Sequence, residues 1–382
     1  MAINDYIAEV RRRYEQWWDD ANTEPLYYVI FPKDGVIYPG DAAREWMAPK
    51  IRGPWTGWEH EFAVGQAVEL AVEHHDMRYV EEAAVLLERY ADATGRAAEG
   101  FHFLFLNLGA SMMSALLTGV TRFDGSTIWL EMPEELTLDQ VLALPDDVES
   151  EYAKTALAAL EILTRRLEGR FVFAPPELGG ILDVLAAMRK TINLLTDTMT
   201  EPEKVDACVE KLRRMYWRWR ERLDAIVDRR NPSCWVQAMR VLAGAPSDLG
   251  TCDFSAMISP DAFRRWVTPH LNDQIARYPG RVYWHLDGPG EIPHLDELLA
   301  QPGLRAIQWV MTAGLPGGMD PRWDDLYRRI LDAGKKVTLV GVPFDPDAVK
   351  AFFTRFPARH FYAQFYAPSE RRAKELLSAL GR

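Results

Sequence analysis

Four apolar runs recur at near-constant intervals in the last hundred residues: "RVYWHLD" (281–287), "RAIQWV" (305–310), "KKVTLVGV" (335–342) and "RHFYAQF" (359–365). Their centres, near 284, 308, 338 and 362, are separated by roughly 24–30 residues, the length of one strand and its crossover helix. Helix starts lie between them. Ser259-Pro260, Asp320-Pro321 and Asp345-Pro346 each put a capping side chain before a proline suited to a first helical turn, and Ser369 opens the last helix. Gly334 closes the helix that Asp320 opens. Repetition of this kind requires a parallel sheet covered by helices.

Further strands are read at 25–31, 100–110, 127–133, 170–180 and 234–241. In a first helix, over 5–20, Ile7, Val10, Tyr14 and Trp17 form one buried stripe. Residues 32–60, rich in Pro, Gly and Trp, read as a long structured loop, and 62–94 as helix, with His74, His75 and Asp76 on a solvated face. A charged helix covers 149–169, and Thr200 with Glu203 predicts a capping box at the head of a long helix. Eight or nine strands in alternation with helices favour a single (β/α)8 TIM-type barrel over 1–382, with an N-terminal helix in 1–24 and the barrel in 25–382. An open doubly wound sheet is the competitor. It is weakened by the lack of a glycine-rich phosphate loop after any strand, since "LGGILD" (178–183) is no such fingerprint.

The formal charge of −12 argues against nucleic acid or an anionic membrane as partner. No apolar run reaches spanning length, and "MAINDYIAEVRRRYEQWWDD" has no apolar signal-peptide core. The three cysteines, Cys208, Cys234 and Cys252, have no metal-ligand spacing and read as reduced thiols in a cytoplasmic protein. Most of the 13 tryptophans are packing residues, with a few available as flat walls for a ligand.

Catalytic groups of a barrel come from the C-terminal ends of its strands. His285 and Asp287 stand two apart at such an end, so a strand sends both to one face. A carboxylate facing packed helices is costly, which places the pair at the barrel mouth, where Gly288-Pro289-Gly290 bends the chain away. The pair offers an imidazole nitrogen and a carboxylate oxygen. It could hold zinc or another divalent metal with ligands from other strands, transfer protons as base and orienter, or serve only structural hydrogen bonding. Asp253 joins His285 and Asp287 in the catalytic set. Asn107, Glu177, Gln237, Gln308, Trp309 and Gln364, with Asp248 nearby, lie at or beyond strand ends and are candidates for substrate binding in a polar-lined cavity. Trp284 is expected to pack around the same cleft.

Three segments carry a family resemblance. "INLLTDTMTEPEKVDACVEKL" (192–212), "MISPDAFRRWVTPHLNDQI" (257–275) and "WHLDGPGEIPHLDELLAQPGLRAIQWVMTAG" (284–314) are similar in order and spacing to the uroporphyrinogen decarboxylase superfamily, closest to its methyltransferase-like branch, over most of 100–382. The resemblance implies a (β/α)8 barrel with a deep cleft at its C-terminal face. It also implies methyl transfer from a small methoxy or methylamine compound, a corrinoid protein as partner, and a monomer or homodimer. In the methyltransferases the zinc ligands are a His-x-Cys pair and a Cys near the last strand. His285 matches the His, but Asp287 and Gln364 stand where the thiolates would be. Any metal here is then held by harder donors. The decarboxylase branch binds an octacarboxylate through arginines near the first strand and uses a catalytic Asp. Here "FPKDGVIYPGDAAREW" (31–46) has only Lys33 and Arg44 as bases, and Asn107 stands at the Asp position. Three alternatives stand beside methyl transfer: a metal-assisted or acid/base lyase or hydrolase on a sugar-like substrate, uroporphyrinogen decarboxylation itself, and a ligand-binding barrel without chemistry.

Overall fold

The computed structural model describes residues 3–33, 44–47, 57, 59–123, 128–130, 132, 134–231, 234–312 and 314–382. Most of the loop read at 32–60 lies outside them, as do parts of the strand read at 127–133. Among the described residues nine strands frame the fold, besides short two-residue ribbons: β1 (Leu26–Pro32), β2 (Thr94–Ala98), β3 (Phe103–Phe105), β4 (Val172–Ala174), β5 (Asp248–Gly250), β6 (Val282–Asp287), β7 (Leu304–Val310), β8 (Lys336–Leu339) and β9 (Phe361–Tyr366). Seven of them form one sheet in the order β2-β1-β9-β8-β7-β6-β5, while β3 and β4 pair separately. Every pairing among these strands is parallel except the edge pair β1 and β2. The first strand therefore lies beside the last, Leu26 opposite Tyr362 through Ile30 opposite Tyr366.

Successive strand side chains point to opposite faces, and this alternation sorts them into two cores. One core, shared with the surrounding helices, takes Tyr27, Val29 and Phe31 of β1, Trp284 and Leu286 of β6, and Ile307 and Trp309 of β7. The other takes Tyr28 and Ile30 of β1, Phe103 and Phe105 of β3, Val172 and Ala174 of β4, Leu249, Tyr283, Ala306 and Tyr362. The N-terminal helix (Ile3–Trp18) inserts Ile7, Val10, Tyr14, Trp17 and Trp18 into this second core. Trp18 donates its indole N–H to the carbonyl of Leu242 at 2.9 Å. Burial of Ile7 and Val10 alone contributes about 1.5–3 kcal/mol each relative to exposure.

Several local expectations are corrected. The segment 62–94 is two helices, Glu59–His74 and Arg78–Ala93, broken where His75 takes φ +50°. Its hydrophobic period runs through the break, so pattern alone cannot find it. Thr200 ends one helix instead of capping the next: its hydroxyl donates to the Thr196 carbonyl at 3.0 Å, and Glu201 is the residue before the Pro202–Val227 helix. "CWVQAMRV" is a short ribbon, Trp235–Val236 antiparallel to Leu242–Ala243, folded back at Arg240 with φ +61°. The expected caps at Ser259, Asp320, Asp345 and Ser369 each accept a backbone amide. All three cysteines are free and buried. No helix among the described residues is long and apolar enough to cross a membrane.

Candidate metal centre

His285 and Asp287 lie on the same face of β6 as Tyr283, opposite to the helix-packed Trp284 and Leu286. Parallel register sets His285 beside Gln308 of β7. The imidazole Nδ1 lies 2.6 Å from the Gln308 amide oxygen. The amide oxygen suits a proton donated from Nδ1, an arrangement that leaves Nε2 to face a ligand. Gly288 then turns the chain at φ +86°, and a Cβ there would come to 2.5 Å from Thr312 Oγ1. A side chain at 288 would disturb the end of the strand that carries the site.

Asp253 arrives from the turn after β5. Its placement depends on Asp183, in the first turn of the Ile181–Arg189 helix. The Asp183 carboxylate accepts the amides of Asp253 at 3.1 Å and Phe254 at 2.7 Å. Gly180 makes room for this carboxylate, since a Cβ at 180 would overlap it and the Thr251 carbonyl. The glycines of "LGGILD" thus admit a close approach between two loops. Asp253, His285 and Asp287 each offer a ligand atom, and the three atoms lie within 4.8 Å of one another.

More carboxyls surround the group. Glu291, in the turn after Gly288, is 1% exposed, and neither carboxyl oxygen has a hydrogen-bond partner among the described residues. Burial, then the negative charge of Asp253, pushes it up to about 10. Burial and Asp253 raise Glu177 to about 8 and Asp183 to about 7, the latter despite its accepted backbone amides. The Asp253 carboxyl is itself raised, by burial first, with His285 pulling it down and Asp287 adding to the rise. Negative charge at this spot is under-compensated, which is the condition a bound cation relieves.

The other residues singled out from sequence have different surroundings. Gln237 and Gln364 donate to the carbonyls of Ser247 and Met239, each at 2.8 Å, and so fasten the 237–247 segment within the fold. Asn107 turns back on its own loop, 3.4 Å from the Gly109 amide. Glu177 and Gln237 line a narrow crevice with Thr251, His270 and Gln274. Asp248 faces the helices, paired with Arg220 and accepting from Gln274 at 2.9 Å. Trp309 lies on the face opposite Gln308, fully buried against Trp323 with ring centroids 4.9 Å apart, and Trp284 lies in the same helix-side core. Lys33 donates to the Asp92 carbonyl and Arg44 pairs with Glu82.

Asp183 and Glu291 were not found from sequence. Each matters through contacts made by a distant segment, and neither has a periodic signal. Beside Asp253 opens a cavity of about 290 Å³, lined by Leu108, Ala110, Ser111, Ala186 and Met257 together with Asp183. The fold and the site together define an α/β protein whose strand ends present an Asp–His–Asp group able to hold a cation. No protein-family model matches this chain, and comparison with curated proteins finds no match either.

Proposed function

We propose that the chain is an enzyme built as a (β/α)8 barrel of the uroporphyrinogen decarboxylase type, working on a small molecule beside a divalent metal held by Asp253, His285 and Asp287. The observation that carries this reading is the convergence of three ligand atoms within 4.8 Å, with the imidazole already oriented by Gln308. Closure into a barrel is supported by the shared core, because strands of both parallel sheets point into one cluster with the N-terminal helix. Two carboxylates and one imidazole suit zinc or a harder divalent ion better than they suit thiol activation. When bound, such an ion supplies a Lewis acid for an oxygen or nitrogen of the substrate. The chain's own residues do the rest. Gln308 fixes the His285 tautomer, Asp183 holds the Asp253 loop, and Leu108, Ala110 and Ala186 offer an apolar wall to the substrate.

Methyl transfer from a methoxy or methylamine compound to a corrinoid protein is a second reading. It is favoured by exposed apolar side chains: Ile192 and Met199 of the Thr191–Thr200 helix, whose first residue lines the cavity, are 75% and 84% exposed, and Met257 lines the opening. A protein partner would cover them.

Titration of chelator-treated protein with zinc and manganese tests the first reading. One ion per chain is expected. His285→Ala abolishes the site, and Gln308→Leu weakens it by about 10–100-fold through loss of imidazole orientation. Absence of saturable binding, or binding indifferent to His285→Ala, removes the metal reading. Incubation of the loaded protein with methylamines or methoxy compounds and reduced cobalamin should form methylcobalamin, visible by absorbance, if the second reading holds.

A further inference from the structure

A second cavity, of about 220 Å³, adjoins the N-terminal end of β4, whereas Asp253 lies past the C-terminal end of β5 and His285 and Asp287 in the C-terminal half of β6. Four arginines line it, Arg96, Arg170, Arg229 and Arg230, and Glu168 is its one acidic lining residue. In a chain of net charge −12 such a concentration is unexpected. The ion pairs leave the cavity positive. Arg170 pairs with Asp92 and Arg229 with Glu161, both outside the lining, and Arg230 pairs with Glu168. Arg96 has no ion pair among the described residues. It lies over the Tyr6 ring, 4.7 Å from its centroid, and 3.4 Å from Nδ1 of His102. Burial, then Arg96 and Lys33, keeps His102 neutral, so the ring adds no second positive charge beside the guanidinium.

Two details show a built site. The Nε of Arg230 is buried with no hydrogen-bond partner among the described residues. The next residue, Asn231, is clamped to β4: its amide accepts from the Phe173 N–H and donates to the Phe173 carbonyl, both at 2.9 Å. Arg230 is therefore held in place with an unused donor, while Ile7, Phe171 and Val172 provide an apolar lining.

We propose that this cavity binds a small phosphomonoester, its dianionic head held by Arg96 and Arg230 and its body against Ile7, Phe171 and Val172. Guanidinium forks suit phosphate oxygens, and an orphaned buried donor gains most from an anionic acceptor. The site is separate from the metal group, so the two can be tested independently.

The test is calorimetric titration of the chelator-treated chain with inorganic phosphate and with phenyl phosphate. Saturable one-site binding is expected for both, tighter for the ester. Arg96→Gln and Arg230→Gln should each weaken it by about tenfold or more, Arg96→Lys should recover part of the loss, and His285→Ala should leave it unchanged. Circular dichroism and the unfolding midpoint establish that each variant is folded. The proposal is overturned if the wild-type chain shows no saturable phosphate binding, or if folded Arg96→Gln and Arg230→Gln variants bind as it does.

Discussion

Glu61→Gln lowers the stability of the folded chain by about 3–5 kcal/mol, the cost of removing one partner from a buried ion pair. Glu61 and Arg240 are each 1% exposed and form an ion pair between the helix Glu59–His74 and the tight turn of the 235–243 ribbon. His60 beside Glu61 is driven down to about 3 by burial and by Arg240 itself, and so stays neutral. The guanidinium also packs over Phe103 and Tyr366, at 5.0 and 5.8 Å from their centroids, and the Arg240 carbonyl accepts the Tyr362 hydroxyl at 3.0 Å. Arg240→Met strands the carboxylate in turn. The double variant should be less destabilised than the two losses added together, with a coupling of about 2–3 kcal/mol in urea unfolding. A Glu61→Gln midpoint equal to that of the wild-type chain would falsify the assignment of this pair as a stabilising device.

His270→Phe should stabilise the chain, and increasingly so as the pH falls. The ring is buried against Tyr216 and Trp217, at 4.4 and 5.8 Å between centroids, and both its nitrogens lack a hydrogen-bond partner among the described residues. Burial, reinforced by Arg213 and Arg220, holds it down at about 3. The unfolded chain protonates this histidine near 6.5 and the folded chain only near 3. Between those values the unfolded state binds the extra proton, and stability falls with pH by about 1.4 kcal/mol per unit. At pH 5 the variant should therefore gain about 2 kcal/mol over its advantage at pH 8. The comparison between variant and wild type matters because Glu177 and Glu291 act with the opposite sign. Raised to about 8 and about 10, they keep their protons in the folded chain where the unfolded chain has lost them, so they remove stability as pH rises through that range. A wild-type profile alone mixes the two effects. A constant difference between the chains from pH 8 to 5 would show that His270 does not titrate in the unfolded reference as assumed.

What could be read from the residues follows from how far apart the deciding contacts lie. The strands after residue 280 are apolar runs bounded by helix-starting serines and aspartates, and both signals are local. The common direction of His285 and Asp287 needs only the two-residue period of a strand. That same period sets Trp309 opposite Gln308, so its burial under Trp323 was available to parity, although a site role was expected of it. The middle of the chain is different. β3, β4 and the 235–243 ribbon pair over only two or three residues each, too few for a periodic pattern to mark their ends. Asp183 and Glu291 belong with the cation group only because a helix start and a loop after β6 meet the Asp253 turn in space. A buried, unpartnered carboxyl has no one-dimensional signature.

The N-terminal helix has a consequence for biosynthesis. Trp18 hydrogen-bonds to Leu242, 224 positions downstream, and Tyr14 meets Tyr362 near the other terminus, ring to ring at 5.6 Å. The helix therefore cannot complete its docking until Leu242 and Tyr362 have been synthesised, and its tryptophans stay open to solvent until then. Contacts at such sequence separation close slowly, and apolar surface left open meanwhile is prone to aggregate.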